Sequence, residues 1–567
     1  MTDSLSNILL VSDSYDCSVV RAIGDHLSAL EVLAKQVTYK ELDGEDFKTN
    51  YSHYIAFLPK IEKIAVSGQI SLPLEEMVQR LISIATAPKN SCICYIQFGN
   101  LNSDDNQAHI NPPSLCAAAF ARSVHLERPD LKVRVITFAP ELETNQIAEL
   151  ALAELKGGEA ISTVSYDANA IRYVPRYSLQ QPVNYTKRPI NWSESDVILV
   201  TGGAKGITAE CALALADSQK VKMALVGLSS SSNPEVINTL KRFRARELTC
   251  YYYSCDMTKL DEVTKLIKQV TQELGMVTGV IHGAGLNKPR RVEQVSKADA
   301  ISETAPKVLG ADNLFRVFAA NPPKFFMAFS SIIGVTGMAG NAWYAFANEC
   351  LQQMLSRFQM QHPSTQILSL AYSVWGEVGM GARMGSVKNL AKMGINAIST
   401  VEGVNRFLKL FTHDPGVKQV VIAARLNGMD TWNPANTNII SGLRFIEDVV
   451  YLEPGVELIT RTELTLERDL YVQDHIWRGS YLFPTVFGLE AMAQATAYVM
   501  GKQQPEIIRL EDISLRRPIV VNPSSGVKIE IHAEVMEVAA NGEQKLKSVL
   551  VQKKLASKPL VLLLLWF

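Results

Sequence analysis

The stretch Val197-Ile-Leu-Val-Thr201-Gly202-Gly203-Ala204-Lys205-Gly206-Ile207-Thr208 runs from a short apolar stretch through a glycine-rich turn into an alanine-rich segment at 207–216. The pattern predicts a buried strand, a tight turn and a helix. Glycines at such a turn let the backbone approach a pyrophosphate, and the N–H groups at the helix start face it. Thr201, Gly202, Gly203, Lys205, Gly206 and Ile207 are the expected cradle. Lys205 adds a fixed cation that can pair with a 2′-phosphate, which favours NADP over NAD. A second strand ending at Gly227 completes a βαβ opening. The turn after it, Gly227-Leu228-Ser229-Ser230-Ser231, has no acid for a ribose diol and no arginine for a phosphate. Ser229 and its neighbours either hydrogen-bond a phosphate or form a solvated turn.

Working outward, strands are expected at 248–253, 279–282, 324–329 and 366–370, separated by helical stretches. Six or seven strands in this order make a doubly wound sheet. Asp256 follows the third strand, where these folds contact an adenine ring. Gly283, Ala284 and Gly285 follow the fourth, where small residues let backbone pack against a nicotinamide ribose.

Upstream, apolar runs at 8–11, 54–58, 92–98 and 133–138 predict a second α/β unit of buried parallel strands. No glycine follows its first strand until Gly24, so no nucleotide is expected there. Downstream, alternating segments at 456–466, 507–521, 527–538 and 544–553 surround one helical segment at 486–499, the pattern of an α+β domain. A polar connection at 180–196 separates the first two units, and the expected domains are 1–185, 190–435 and 440–567.

The 567 residues carry 56 basic and 57 acidic groups and are 47% hydrophobic, as in globular material without a bulk field for nucleic acid. The eight cysteines are dispersed, which predicts reduced thiols in a cytoplasm and no metal site. The N-terminus is acidic where a signal peptide is basic, and no apolar run reaches the roughly 18 residues of a membrane helix. The expected location is cytoplasmic.

Carbonyl reduction by a nicotinamide needs a proton donor near the developing alkoxide and groups that tune its acidity. Lys307, Ser331, Tyr344 and Asn348 stand at successive spacings of 24, 13 and 4 residues, within APKVLGADNL, FSSIIGVTG and WYAFAN. These motifs resemble the ketoreductase domains of polyketide and fatty acid synthases, which are of the short-chain dehydrogenase type. The turn has that family's Thr-Gly-x-x-x-Gly spacing, with Thr208 where a last glycine is usual. Such ketoreductases place asparagine four residues after the tyrosine and bring lysine from the preceding helix. The resemblance implies that Tyr344 donates the proton and Ser331 hydrogen-bonds the substrate carbonyl. It implies that Lys307 lowers the tyrosine pKa and binds the ribose, and that Asn348 orders the proton relay. It implies NADPH as hydride source and a 3-oxoacyl thioester on an acyl carrier protein as substrate.

Residues 1–185, with ARSVHLERPDLKVRVITFAP and AIRYVPRY, look like the non-catalytic structural subdomain that precedes these ketoreductases. The segment 373–395 resembles their mobile lid, especially in enediyne-type iterative and polyunsaturated-fatty-acid synthases, with Gly376, Gly379, Gly381 and Gly385 as hinges. The positions that mark alcohol stereochemistry hold Asn287-Lys288-Pro289 and Thr336, so no configuration follows. Lys288, Arg290 and Arg291 read as a solvated basic face, or as a patch for a phosphopantetheine phosphate or an acidic carrier.

In the third region His475-x-x-x-Gly479-x-x-x-x-Pro484, followed by Glu490 on the helix, resembles the hotdog fold of 3-hydroxyacyl thioester dehydratases. His475 is the implied base. Two readings of the acid stay open. Glu490 matches the acid of single-hotdog enzymes, whose site is completed across a homodimer. In synthase double hotdogs the acid comes from a second hotdog, and on that reading the domain is truncated and inactive. No ketosynthase, acyltransferase or carrier motif occurs, so the substrate is expected from other synthase domains. The leading expectation is a reductase. A dehydratase as main activity and a non-catalytic synthase fragment are the alternatives.

Overall fold

Val197–Thr201, Lys222–Gly227, Cys250–Ser254, Val277–His282, Phe325–Ser331, Gln366–Tyr372 and Gln419–Ile422 form a seven-stranded sheet. Counted along the chain, their spatial order is 3-2-1-4-5-6-7, and every pairing is parallel. The first strand is buried at all five positions, as a strand covered by helices on both faces must be. The helix after it, Gly206–Gln219, runs longer than its alanine-rich part alone suggests. The computed structural model describes residues 5–42, 51–58, 74–99, 101–102, 109–110, 116–177, 185–424, 426, 431, 443–501, 509–515, 517–538, 544–552 and 561–566. The part of the polar connection at 180–184 lies outside these residues, as do 507, 508 and 516 of one expected strand segment and 553 of another.

The upstream unit has its own seven-stranded sheet of Asn7–Ser12, Leu33–Thr38, His53–Phe57, Cys92–Phe98, Lys132–Phe138, Ile161–Tyr166 and Arg172–Tyr173, in the order 2-1-3-4-5-6-7. Its first strand pairs in parallel on both sides, like Val197–Thr201, with one strand fewer beyond the switch point. The two α/β regions make one compact unit. Helix Ala118–Glu127 of the first packs on helix Ala342–Gln361 of the second, with Phe120 4.8 Å from Trp343 between ring centroids. One continuous apolar core joins them. Polar contacts reinforce the seam. Glu349 accepts from Ala119 N at 2.8 Å, and Ser123 Oγ accepts from Met338 N at 3.1 Å. Glu127 accepts from Val292 N at 2.8 Å and Gly340 N at 3.0 Å.

The C-terminal region is a separate compact unit. Its antiparallel sheet runs Asp448–Glu453, Glu457–Leu464, Val527–Val538, Gln544–Gln552, Val561–Trp566 and Arg509–Leu515 in spatial order. The sheet packs on helix Thr485–Val499, which is buried from Ala491 to Val499. This is the hotdog arrangement, and the expected 507–521 segment is two strands, Arg509–Leu515 and Val520–Val521. Among the described residues no helix is long and apolar enough to cross a membrane.

Candidate functional site

The glycine-rich turn closes against the end of the fourth strand. Gly202 sits at φ +65°, and a Cβ there would lie 2.8 Å from Gly283 O. Gly206 has φ +60°, again left-handed backbone that favours glycine. A Cβ at Gly206 would lie 3.4 Å from Gly379 Cα, so both glycines keep backbone close to backbone here, as the approach to a dinucleotide pyrophosphate requires. Thr208 replaces the usual last glycine without blocking this approach because Gly283 faces it. A Cβ on Gly283 would stand 2.5 Å from Thr208 Oγ1.

Behind the turn runs a chain of polar contacts. Ala284 N donates to Thr201 Oγ1 at 3.3 Å, the hydroxyl meets His282 Nδ1 at 2.7 Å, and His282 Nε2 meets Lys307 O at 3.1 Å. A proton on Nε2 facing the carbonyl and an accepting Nδ1 satisfy both contacts. Burial and the Lys307 charge hold the imidazole neutral, with its pKa down to about 3.

Lys205 Nζ reaches Ser229 Oγ at 3.0 Å, which joins two residues assigned separately from sequence. Asp256 is committed locally. Its Oδ1 accepts from Thr258 N at 3.0 Å and Thr258 Oγ1 at 2.7 Å. Burial pushes its carboxyl up, but the Thr258 contacts and Lys259 outweigh this and leave it lowered.

Lys307 comes from helix Lys297–Phe318, Ser331 ends the fifth strand, and Tyr344 and Asn348 lie one turn apart on helix Ala342–Gln361. All four are buried. Lys307 Nζ donates to Phe329 O at 2.7 Å, and burial brings its pKa down to about 8. A Cβ on Gly285 would lie 3.4 Å from that ammonium, so the loop after the fourth strand packs on Lys307. Burial pushes the Tyr344 phenol up, and the Asn348 and Ser331 side chains draw it back. Lys307, the residue expected to lower this pKa, has its ammonium on the Phe329 carbonyl. Asn348 Nδ2 donates to Tyr344 O at 2.7 Å, and among the described residues its buried Oδ1 has no direct hydrogen-bond partner.

In the hotdog unit, Arg478 and Gly479 both have positive φ and close a tight hairpin between Ile476–Trp477 and Ser480–Leu482. His475 precedes this hairpin and Pro484 caps the helix. His475 and Glu490 are both exposed, and Glu490 accepts from Gln494 Nε2 at 2.9 Å. Among the described residues no hydrogen bond joins them. A cavity of about 270 Å³ beside the helix start is lined by Phe483, Gly488, Leu489, Met492 and Arg517 and by neither candidate.

Residues 197–377 match the KR domain family, and residues 446–547 match the family described as Polyketide synthase dehydratase domain. The chain carries a ketoreductase domain and a polyketide synthase dehydratase domain. It is 30% identical over 229 residues to Polyketide synthase PksN of Bacillus subtilis (strain 168), which covers 38% of this chain and 4% of that protein. It is 27% identical over 299 residues to 5-methyl-1-naphthoate synthase of Streptomyces sahachiroi, covering 50% of this chain and 16% of that protein. The chain thus spans a small part of these curated relatives. The structure described as the first ketoreductase of the tylosin PKS superposes with a TM-score of 0.59 at 19% identity, over 77% of this chain and 92% of that one. Ketoreductase domains of this kind work with a reduced nicotinamide dinucleotide.

Just after the residues that match the ketoreductase family, the expected lid folds as two short helices, Met380–Arg383 and Ser386–Lys392. Only Gly379 (φ +96°) and Gly385 (φ +68°) of the four expected hinges have left-handed backbone. A Cβ on Gly379 would lie 3.0 Å from Ile207 Cδ1, so the segment crosses the nucleotide turn. Arg290 of the expected basic face pairs with Asp299 at 3.2 Å. Two buried carboxyls were not legible as site residues in the sequence. Glu303, one turn before Lys307, accepts from Lys288 N at 3.0 Å, and burial raises its pKa. Its four-residue offset from Lys307 was the available signal. Glu127 had none, since its partners are far along the chain.

Proposed function

We propose that this chain reduces a 3-oxoacyl thioester to the 3-hydroxyacyl thioester with NADPH, in polyketide or fatty acid biosynthesis. The observation that carries the reading is the buried set Lys307, Ser331, Tyr344 and Asn348, supplied by helix Lys297–Phe318, strand Phe325–Ser331 and helix Ala342–Gln361 of the ketoreductase domain. When bound, the nicotinamide supplies the hydride that reaches C3 of the substrate. Ser331 Oγ holds the 3-oxo oxygen, and Tyr344 passes its phenolic proton to that oxygen as the new C–H bond forms. Asn348 Oδ1 has free hydrogen-bonding capacity and suits a water that returns a proton to the tyrosine. Lys307 binds the nicotinamide ribose, while Gly202, Gly203, Gly206 and Ile207 hold the pyrophosphate. Thr201, Gly283, Ala284 and Gly285 shape the wall behind it, and Asp256 borders the adenine. Lys205 and Ser229 favour the phosphorylated dinucleotide.

On this reading 1–185 is a structural subdomain, 190–435 the reductase and 440–567 the dehydratase-like hotdog. The protein works in the cytoplasm on a substrate carried by an acyl carrier protein and made by other synthase domains. Mixing the protein with NADPH and a short 3-oxoacyl thioester tests it. NADPH consumption matched by 3-hydroxyacyl thioester in mass spectrometry is expected, and neither would refute the assignment.

A second activity, dehydration through His475 and Glu490, is favoured by the exposure of both residues beside Ile476, Trp477 and Val486, an apolar surface suited to a second hotdog in a homodimer. A 3-hydroxyacyl thioester should then give an enoyl thioester with the parent protein and none with His475→Ala. Absence of enoyl product from the parent would remove this activity.

A further inference from the structure

Glu235, at the start of helix Pro234–Arg244, holds two cations from distant parts of the chain. Its Oε2 lies 3.2 Å from Lys205 Nζ at the nucleotide turn, and its Oε1 accepts from Arg383 Nη2 at 2.7 Å. The same Lys205 ammonium donates to Ser229 Oγ. Arg383 belongs to the short helix Met380–Arg383, four residues after Gly379, which rests on Ile207. A carboxylate therefore occupies a point where a turn lysine, the serine after the second strand and an arginine from the overlying segment converge.

In a doubly wound sheet, the turn after the second strand is where the 2′ position of the adenine ribose is read. Here that turn carries no arginine, so Ser229 alone would leave a 2′-phosphate with one cation, Lys205. Surface ion pairs between half-exposed groups hold only weakly, and the Glu235 and Arg383 side chains are 52% and 51% exposed. A phosphate monoester carries about −1.5 to −2 charges near pH 7 and three acceptor oxygens, a better match for two cations than one carboxylate.

We propose that Arg383, with Lys205 and Ser229, receives the 2′-phosphate of NADPH, and that Glu235 is a placeholder carboxylate which the phosphate displaces. The arginine that the second-strand turn lacks is thus supplied by the segment lying over the nucleotide. The 2′-hydroxyl of NADH lacks the charge to take the two cations from Glu235, so preference for the phosphorylated dinucleotide is set jointly by the turn and by that segment. This rests on the NADPH reading above.

Titration calorimetry of the full chain with NADPH, NADH and adenosine 2′,5′-bisphosphate tests it without turnover. Arg383→Met should weaken NADPH and the bisphosphate each by about tenfold or more, the scale of one lost charge-assisted hydrogen bond, and leave NADH within about twofold. Glu235→Gln should tighten the bisphosphate, because it removes an anion that competes for the same cations. Equal weakening of NADPH and NADH by Arg383→Met, no weakening at all, or weaker bisphosphate binding in Glu235→Gln would each overturn the assignment. A parent protein that binds NADH as tightly as NADPH would instead refute the underlying NADPH reading. The bisphosphate arm keeps the two failures apart.

Discussion

Lys307 donates through Nζ to the main-chain carbonyl of Phe329 at 2.7 Å, tying the helix before the fifth strand to the strand that ends in Ser331. The ammonium is buried, and its pKa is down to about 8. Between pH 8 and 10.5 the unfolded chain holds a proton that the folded lysine has released. Stability from this group therefore rises with pH across that window, and below it the buried charge is a cost. Lys307→Met lacks that rise. The stability difference, wild type minus variant, should climb by up to about 3 kcal/mol from pH 7 to 10 in urea unfolding. Parallel pH profiles would contradict the burial of a charged lysine.

His282 has the same sign in an acidic window. Its imidazole is neutral when folded, with a pKa down to about 3, so the unfolded chain binds more protons between pH 6.5 and 3. The stability contribution is complete above pH 6.5 and is lost as pH falls toward 3. Melting of the wild type should drop more steeply than that of His282→Gln between pH 6.5 and 4. Superimposable slopes would mean that the imidazole is reached by protons without unfolding.

Gly283 and Thr208 should behave as a coupled pair. Gly283→Ala places a methyl 2.5 Å from Thr208 Oγ1 and should destabilise by about 1–3 kcal/mol and weaken dinucleotide binding. Thr208→Ala removes the clashing atoms and should restore more than half of the loss in the double variant, a coupling of about 1 kcal/mol or more. Strict additivity would show that the clash is relieved elsewhere.

Glu127 holds two backbone N–H groups of the reductase half, at Val292 and at Gly340, four residues before Tyr344. Glu127→Gln turns an amide N–H₂ onto one of those donors. A loss of about 1–3 kcal/mol in urea unfolding and a fall in turnover are expected. A variant as stable and as active as the parent would show that the first unit does not brace the second through this contact.

The doubly wound sheet and the elements that carry the reductase candidates were legible because each element is marked by a local apolar run. Lys307, Ser331 and Tyr344 lie on a helix, the following strand and the long helix Ala342–Gln361 that crosses over to the next strand, so parallel winding brings them to one end of the sheet. Strands such as Cys92–Phe98 and Val527–Val538 appear where unbroken or alternating apolar runs mark them. Glu127 meets partners 165 and 213 residues away, and Arg383 meets Glu235 across 148. Such contacts follow from how helices dock on the sheet, which no local pattern encodes. Burial as the cause of the low Lys307 pKa was hidden for the same reason. In the lid, glycine content suggested four hinges, but only the backbone distinguishes Gly379 and Gly385 from Gly376 and Gly381.

The most direct measurement follows NADPH absorbance with a short 3-oxoacyl thioester in wild type and in Tyr344→Phe, with dinucleotide affinity measured in both. The phenol is buried beside Ser331 and Asn348, so removing its hydroxyl deletes the proposed proton donor and little of the packing. Turnover should fall by about 100-fold or more, the scale of a lost general acid, with NADPH affinity retained. Equal rates in the two proteins would contradict the assignment of Tyr344 as the acid that completes carbonyl reduction.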